Sequence, residues 1–202
     1  MDKYLILAGA SGCGKSFIKN SLLSMAPGYF VNIRQHTTRP RREKEGKDAY
    51  EFVDAEEFEK VKNGLMGRCQ IGNYTYGSSP LSSYETRTGI IVLNDEGLTD
   101  FMAYAIKANA IYTSVGIYLP LEDAVKIRGK ERSEEYIRKE YSIYDRVEHI
   151  YQNDFENNSL QSILAQFKLI HEALEYKSKS ICKFEEFDDY RKECKCGSSF
   201  CS

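Results

Sequence analysis

The chain has 202 residues, a formal net charge of −2 and 42% hydrophobic residues, enough for one domain with a substantial core and inserted lobes. The balanced charge leaves no footprint for nucleic acid or an anionic membrane, and no apolar run approaches the roughly 20 residues that span a bilayer. The N-terminal residues show no signal-peptide core or cleavage site, so a cytoplasmic protein is expected, and its six cysteines are expected to be free of structural disulfides.

Lys3 to Ala8 reads KYLILA, an apolar run of strand type. Gly9-Ala10-Ser11-Gly12-Cys13-Gly14-Lys15-Ser16 follows and fits the phosphate-loop pattern G-x-x-x-x-G-K-[ST] at every required position. Phe17 to Ala26 carries Ile18, Leu22 and Met25 at helical spacing, so strand, glycine turn and helix stand in the order the loop needs. Glycines let the backbone aim its N–H groups at phosphate oxygens, and the helix dipole favours the same anion. The pattern implies a nucleoside triphosphate, with Lys15 on the outer phosphates and the Ser16 hydroxyl on Mg2+. Cys13 fits as a small filler within the loop.

Pro27-Gly28 marks a turn and Tyr29 to Ile33 a second strand. Arg34 to Arg42, rich in charge and containing Pro40, reads as a loop. Tyr50 to Val53 is a strand candidate, and Asp54 can cap a helix from Ala55 to Asn63 that Gly64 ends. Leu65 to Tyr76 reads as one or two strands turning at Gly72-Asn73, with Cys69 in a strand, and Ser79 to Thr86 as a short helix. Gly89 to Leu93 suits a buried parallel strand. Leu98, Phe101, Met102, Ala105 and Ile106 mark a helix, and Ile111 to Leu119 the next strand.

Lys126 to Tyr151 interleaves Arg128, Lys130, Arg132, Arg138, Lys139 and Arg146 with acids and tyrosines. Asn153-Asp154-Phe155 reads as a connection or strand end. Leu160, Ile163, Leu164, Phe167, Ile170 and Leu174 then line one face of a closing helix. Residues 176–202 form a polar tail expected to pack loosely. Alternating strands and helices argue for an α/β fold around a central parallel sheet, with the apolar-poor stretch from 34 to 83 as an inserted lobe.

Four stretches together resemble the guanylate kinase family of nucleoside monophosphate kinases. They are AGASGCGKS; HTTRPRREKEGKDAYEF with the helix DAEEFEK; GNYTYGSS; and the late pair Asn153-Asp154. The resemblance implies a P-loop NTPase fold with a central parallel sheet flanked by helices, a small NMP-binding lobe and a helical lid. It sets a kinase-like domain over 1–175, with core 1–33 and 84–175, lobe about 34–83, lid about 126–147, and a cysteine-containing tail over 176–202.

In that register Gly9, Ala10, Ser11, Gly12, Cys13, Gly14, Lys15 and Ser16 hold the phosphates of ATP, with Mg2+ at Ser16. Arg39 and either Arg42 or Arg41 clamp the acceptor phosphate; the family register favours Arg42, although the proline stands one place early. A guanidinium clamps phosphate bidentately, which lysine does less well. Tyr50 and Tyr76 match phosphate-binding tyrosines and Ser78 a base contact. Arg128 resembles the start of the lid segment, Arg138 or Arg132 is expected beside the transferring phosphoryl group, and Asn153 at the donor's adenine. For any one lid cation, an i,i+4 pair on a helix surface is the competing reading.

The base pocket departs from the family. Acidic readers of guanine fall here at about Gly67, beside Met66 and Arg68, and at Asn94, while Gln35 and His36 replace serine-type neighbours. Transfer machinery kept and base pocket rebuilt support three readings. The first is a kinase moving the γ-phosphoryl of ATP to GMP, dGMP or a related monophosphate. The second is a kinase for a non-guanine or modified nucleotide, and the third a partner-binding module without catalysis, which the complete P-loop opposes. Neither nucleic acid nor membrane is expected as a partner. Cys182, Cys194, Cys196 and Cys201 match the ligand number of a structural zinc, but lack paired C-x2-C spacing, which favours free thiols.

Overall fold

The computed structural model describes residues 1–43, 45–46, 50–128, 133–153 and 160–193. Among them, five strands form a parallel sheet: β1 (Lys3–Ala8), β2 (Phe30–Asn32), β7 (Thr88–Val92), β8 (Ile111–Tyr118) and β9 (His149–Gln152), in the order β2-β7-β1-β8-β9. Tyr4 to Ala8 at its centre are fully buried, and the period of two sends them to opposite faces. Leu5 and Leu7 meet Ile18 and Leu22 of α1 (Lys15–Met25) and Ile163 and Phe167 of α6 (Leu160–Glu193). Tyr4 and Ile6 meet Leu98, Phe101 and Ala105 of α3 (Asp95–Ala108). This is the expected α/β arrangement, a central parallel sheet flanked by helices.

A second sheet, of order β4-β3-β6-β5, is built from β3 (Gln35–Thr37), β4 (Glu51–Phe52), β5 (Met66–Ile71) and β6 (Tyr74–Ser78). Strands β5 and β6 turn at Gly72-Asn73, as the sequence predicts. Before them, α2 (Ala55–Val61) begins at a capping box: the Asp54 side chain accepts from the Glu57 N–H at 2.7 Å, and the Glu57 carboxylate from the Asp54 N–H at 3.2 Å. The helices α4 (Leu121–Arg128) and α5 (Glu134–Glu140) lie between β8 and β9.

Four local expectations are corrected. Gln35–Thr37, read as loop, is a strand, because its backbone pairs with β4 and β6 and tertiary hydrogen bonding overrides a charged sequence. Residues 79–86, read as a short helix, form turns instead; Leu81 is held by its N–H donating to the Tyr4 hydroxyl. Strand β9 lies inside the charged stretch, hidden by polar residues on a sheet edge. The closing helix continues to Glu193, well into the segment expected to be a loose tail. On α3 the apolar face is narrower than its sequence suggests: Ile106 is 84% exposed.

Candidate active site

The turn from β1 into α1 is shaped by Gly9 (φ 139°), Gly12 (φ 86°) and Gly14 (φ 94°), all in the region that side chains avoid. At Gly9 a Cβ would stand 2.5 Å from the Ile117 carbonyl, so that position admits only glycine. Lys15 opens α1, and its ammonium donates to the carbonyls of Gly9 (2.8 Å) and Ala10 (2.7 Å). Ser16 follows at the exposed helix start. Backbone N–H groups, the lysine ammonium and the positive helix end make a donor set that fits the phosphates of ATP, and the Ser16 hydroxyl oxygen beside them is the group that could ligate Mg2+.

The loop is gripped from α5 and the 3-10 turn after it. The Glu140 carboxylate accepts from the Ser11 N–H at 2.7 Å and from its hydroxyl at 3.1 Å. The Tyr144 hydroxyl accepts from the Ala10 N–H at 3.1 Å and donates to Ile117 O at 2.8 Å; burial pushes that phenol well above its usual pKa. Neither residue was singled out by sequence reasoning, since nothing in a charged, tyrosine-rich helix shows which side chains turn inward. Cys13 is fully buried, the filler expected. Asn153, expected at the donor base, is 2% exposed, and its Nδ2 donates to Cys13 O at 2.8 Å, so it supports the loop from behind.

Facing the loop across a cleft of about 630 Å³ stand Arg39, Arg42, Tyr50 and Tyr76. The Arg39 Nη2 donates to both carboxylate oxygens of Glu45 (2.8 and 2.9 Å), and the guanidinium lies over the rings of Tyr50 (5.6 Å) and Phe52 (5.7 Å). Burial alone would raise the Glu45 carboxyl; the Arg39 guanidinium and the Arg42 N–H outweigh it and hold that carboxyl below its usual range. Burial also raises the Tyr50 phenol. Arg42 is part of the cleft wall, whereas Arg41 turns its guanidinium to the Glu45 carbonyl at 2.7 and 2.9 Å. Lys19, missed by sequence reasoning, lines the cleft one turn after Lys15 and donates to Asn32 Oδ1 at 3.3 Å, its pKa lowered by burial. Its i,i+4 relation to Lys15 was the available signal.

At the far end lie Gln35, Gly67, Cys69 and Asn94. Asn94 is the N-cap of α3, its Oδ1 accepting from the Gly97 N–H at 2.8 Å. Gly67 has φ 61°, and a Cβ there would meet Leu93 Cδ2 at 2.7 Å, so a side chain at this position would be strained and would need Leu93 to shift. Burial raises the Cys69 thiol to about 12, with Glu96 adding to the effect, so it stays protonated at neutral pH. Ser78, expected to touch the base, is fully buried behind Gln35.

On α5, Arg138 does not line the cleft: it pairs with Glu134 at i,i+4, 2.8 Å apart, its side chain 65% exposed. The roles expected of the Arg128 side chain and of Arg132, and the thiols of Cys182, Cys194, Cys196 and Cys201, lie outside the described residues. Among the described residues no cluster of His, Cys, Asp or Glu is arranged to hold a metal ion.

Comparison with known proteins agrees with this geometry. Residues 1–174 match the sequence model of the family described as Guanylate kinase. A guanylate kinase of Neisseria gonorrhoeae is 32% identical over 184 residues, covering 84% of this chain and 80% of that protein. One of Gloeobacter violaceus is 39% identical over 83 residues; the match spans only 39% of each chain. The crystal structure of guanylate kinase from Anaplasma phagocytophilum shares the fold, with a TM-score of 0.61 at 21% identity over 85% of each chain. The chain belongs to the guanylate kinase family.

Proposed function

We propose that the protein is an ATP-dependent nucleoside monophosphate kinase of the cytoplasm, transferring the γ-phosphoryl group of ATP to GMP, dGMP or a related monophosphate. One observation carries this reading: a single cleft has the phosphate loop, with Lys15 and Ser16, on one wall and Arg39, Arg42, Tyr50 and Tyr76 on the other. Phosphoryl transfer asks for two anionic groups brought in line and their charge neutralised, with little covalent work by the protein. Mg2+, held at Ser16, would add charge neutralisation on the donor phosphates. Arg39 and Arg42 would orient the acceptor phosphate toward the loop. The lobe over about 34–83 would carry the acceptor and the lid over about 126–147 would cover the donor.

A second reading, a kinase for a non-guanine or modified acceptor, draws support from the pocket's far end, where Gly67 offers no side chain and Asn94 offers an amide. A coupled ADP-release assay across the common NMPs and dNMPs tests both. Lys15→Ala should leave the far-UV circular dichroism unchanged and lower kcat by at least about 10²-fold, the effect of removing one preorganised transition-state contact. A folded variant that keeps a tenth or more of the wild-type kcat refutes the kinase assignment.

A further inference from the structure

Two amides at the base end of the cleft are fixed in opposite senses. Gln35 Nε2 donates to the Val92 carbonyl at 3.2 Å and to Ser78 Oγ at 3.4 Å. A carbonyl can only accept, so the nitrogen must point inward and Oε1 is the atom left for the cleft. Asn94 is set the other way: capping α3 occupies its Oδ1, and its nitrogen is turned to the Cys69 thiol, which lines the same cleft. Other readers are removed. Gly67 carries no side chain, the Arg68 guanidinium is held by Asp100, and Gln70 Nε2 donates to Gly72 O. Among the described residues, the carboxylates lining this cleft are Glu45 and Glu140, engaged with Arg39 and Ser11 at its phosphate end.

We infer that, given the kinase reading above, this site reads its acceptor base with one carbonyl acceptor, Gln35, and one amide donor, Asn94. Among purines it therefore selects a 6-oxopurine over adenine, without reading the 2-amino group. The N1–H and O6 of such a base are a donor and an acceptor side by side, which the two amides match. Hypoxanthine presents the same pair as guanine. Guanine's 2-amino group adds donors that a carboxylate, with two adjacent oxygens, would take together with N1–H; a single amide oxygen has no twin to offer. Adenine exchanges the pair, placing a donor at position 6 and an acceptor at N1, and meets Asn94 donor to donor.

The test is kcat/KM for GMP, IMP and AMP at saturating ATP. GMP and IMP should lie within about tenfold of each other, since no buried partner is stranded when the 2-amino group is missing, and AMP at least about 10²-fold lower. A GMP preference over IMP above about 10²-fold, or AMP equal to GMP, overturns the inference. Asn94→Asp adds a second arm, because aspartate caps a helix as well as asparagine while turning the exposed donor into an acceptor. Its kcat/KM should fall at least about tenfold for GMP and IMP alike, with the KM for ATP and the Tm unchanged; a rise for GMP overturns the inference. Failure to release ADP with every monophosphate would remove the kinase reading and this inference with it. Robust GMP turnover that rejects IMP would remove the inference alone.

Discussion

Gly67→Ala tests the geometry of the base end through stability. The new methyl group would sit at φ 61°, 2.7 Å from Leu93 Cδ2 and 3.5 Å from Ile91 Cδ1. The left-handed backbone costs an L-residue about 1–2 kcal/mol, and overpacking a filled core about 1–3 kcal/mol. Restricting the unfolded chain returns about 0.4–1 kcal/mol. The balance is a loss of about 1–4.6 kcal/mol, or roughly 2–18 °C in Tm for a domain of this size. Gly28→Ala is the control, since its Cβ would meet nothing within 4 Å and its φ lies outside the left-handed region. Thermal unfolding of both variants beside the wild type is the assay. A loss below about 2 °C for Gly67→Ala, or an equal loss for Gly28→Ala, would show that steric exclusion is not what keeps a side chain from this position.

Arg42→Ala should raise the acceptor KM more than the ATP KM, while Arg41→Ala leaves both near wild type; steady-state kinetics giving the reverse order would show the clamp displaced by one residue. Asp54→Ala removes the capping box of α2 and should cost about 0.5–2 kcal/mol by denaturant titration, with kcat unaffected. Burial holds the His171 imidazole below its ordinary value of 6.5, and its Nδ1 shares a 2.8 Å hydrogen bond with Thr88 Oγ1. Folding therefore disfavours its protonation: the contribution is complete above the unfolded value and falls as pH drops below about 6.5 toward the lower folded one. Urea melts between pH 7.5 and 5.5 should show that decline in the wild type and a flatter profile in His171→Gln.

What the sequence made legible follows from what repeats locally. The phosphate loop declares itself because three glycines, a lysine and a serine at fixed spacing are the local solution to one problem, and the structure forms it in place. Strands β1, β7 and β8 were readable because burial on both faces leaves continuous apolar runs. Strand β3 was not, because its pairing partners lie outside its own segment and its residues face a polar cleft. Asn94 shows the same limit at the site. The sequence names an asparagine where an acidic reader falls but not which end of its amide is exposed; a cap to Gly97, three residues on, fixes which atom faces the cleft. Gly67 appeared as a missing reader; only its positive φ and the approach of Leu93 show that a side chain there would be strained.

The carboxylate of Glu140 on Ser11 has a consequence for which anions can dwell at the loop. A bare nest of backbone donors attracts any small anion from solution. Here the resident is tethered, and a tethered group acts at an effective concentration of millimolar or more. Free inorganic phosphate or sulfate, binding through one contact, has to displace it at that concentration. A triphosphate reaches the loop, Lys15 and the helix end with one ligand, and gains enough to push the carboxylate aside. The Glu140 side chain of α5 thus works as a threshold, keeping the loop shaped and setting the number of simultaneous contacts that an anion needs to enter.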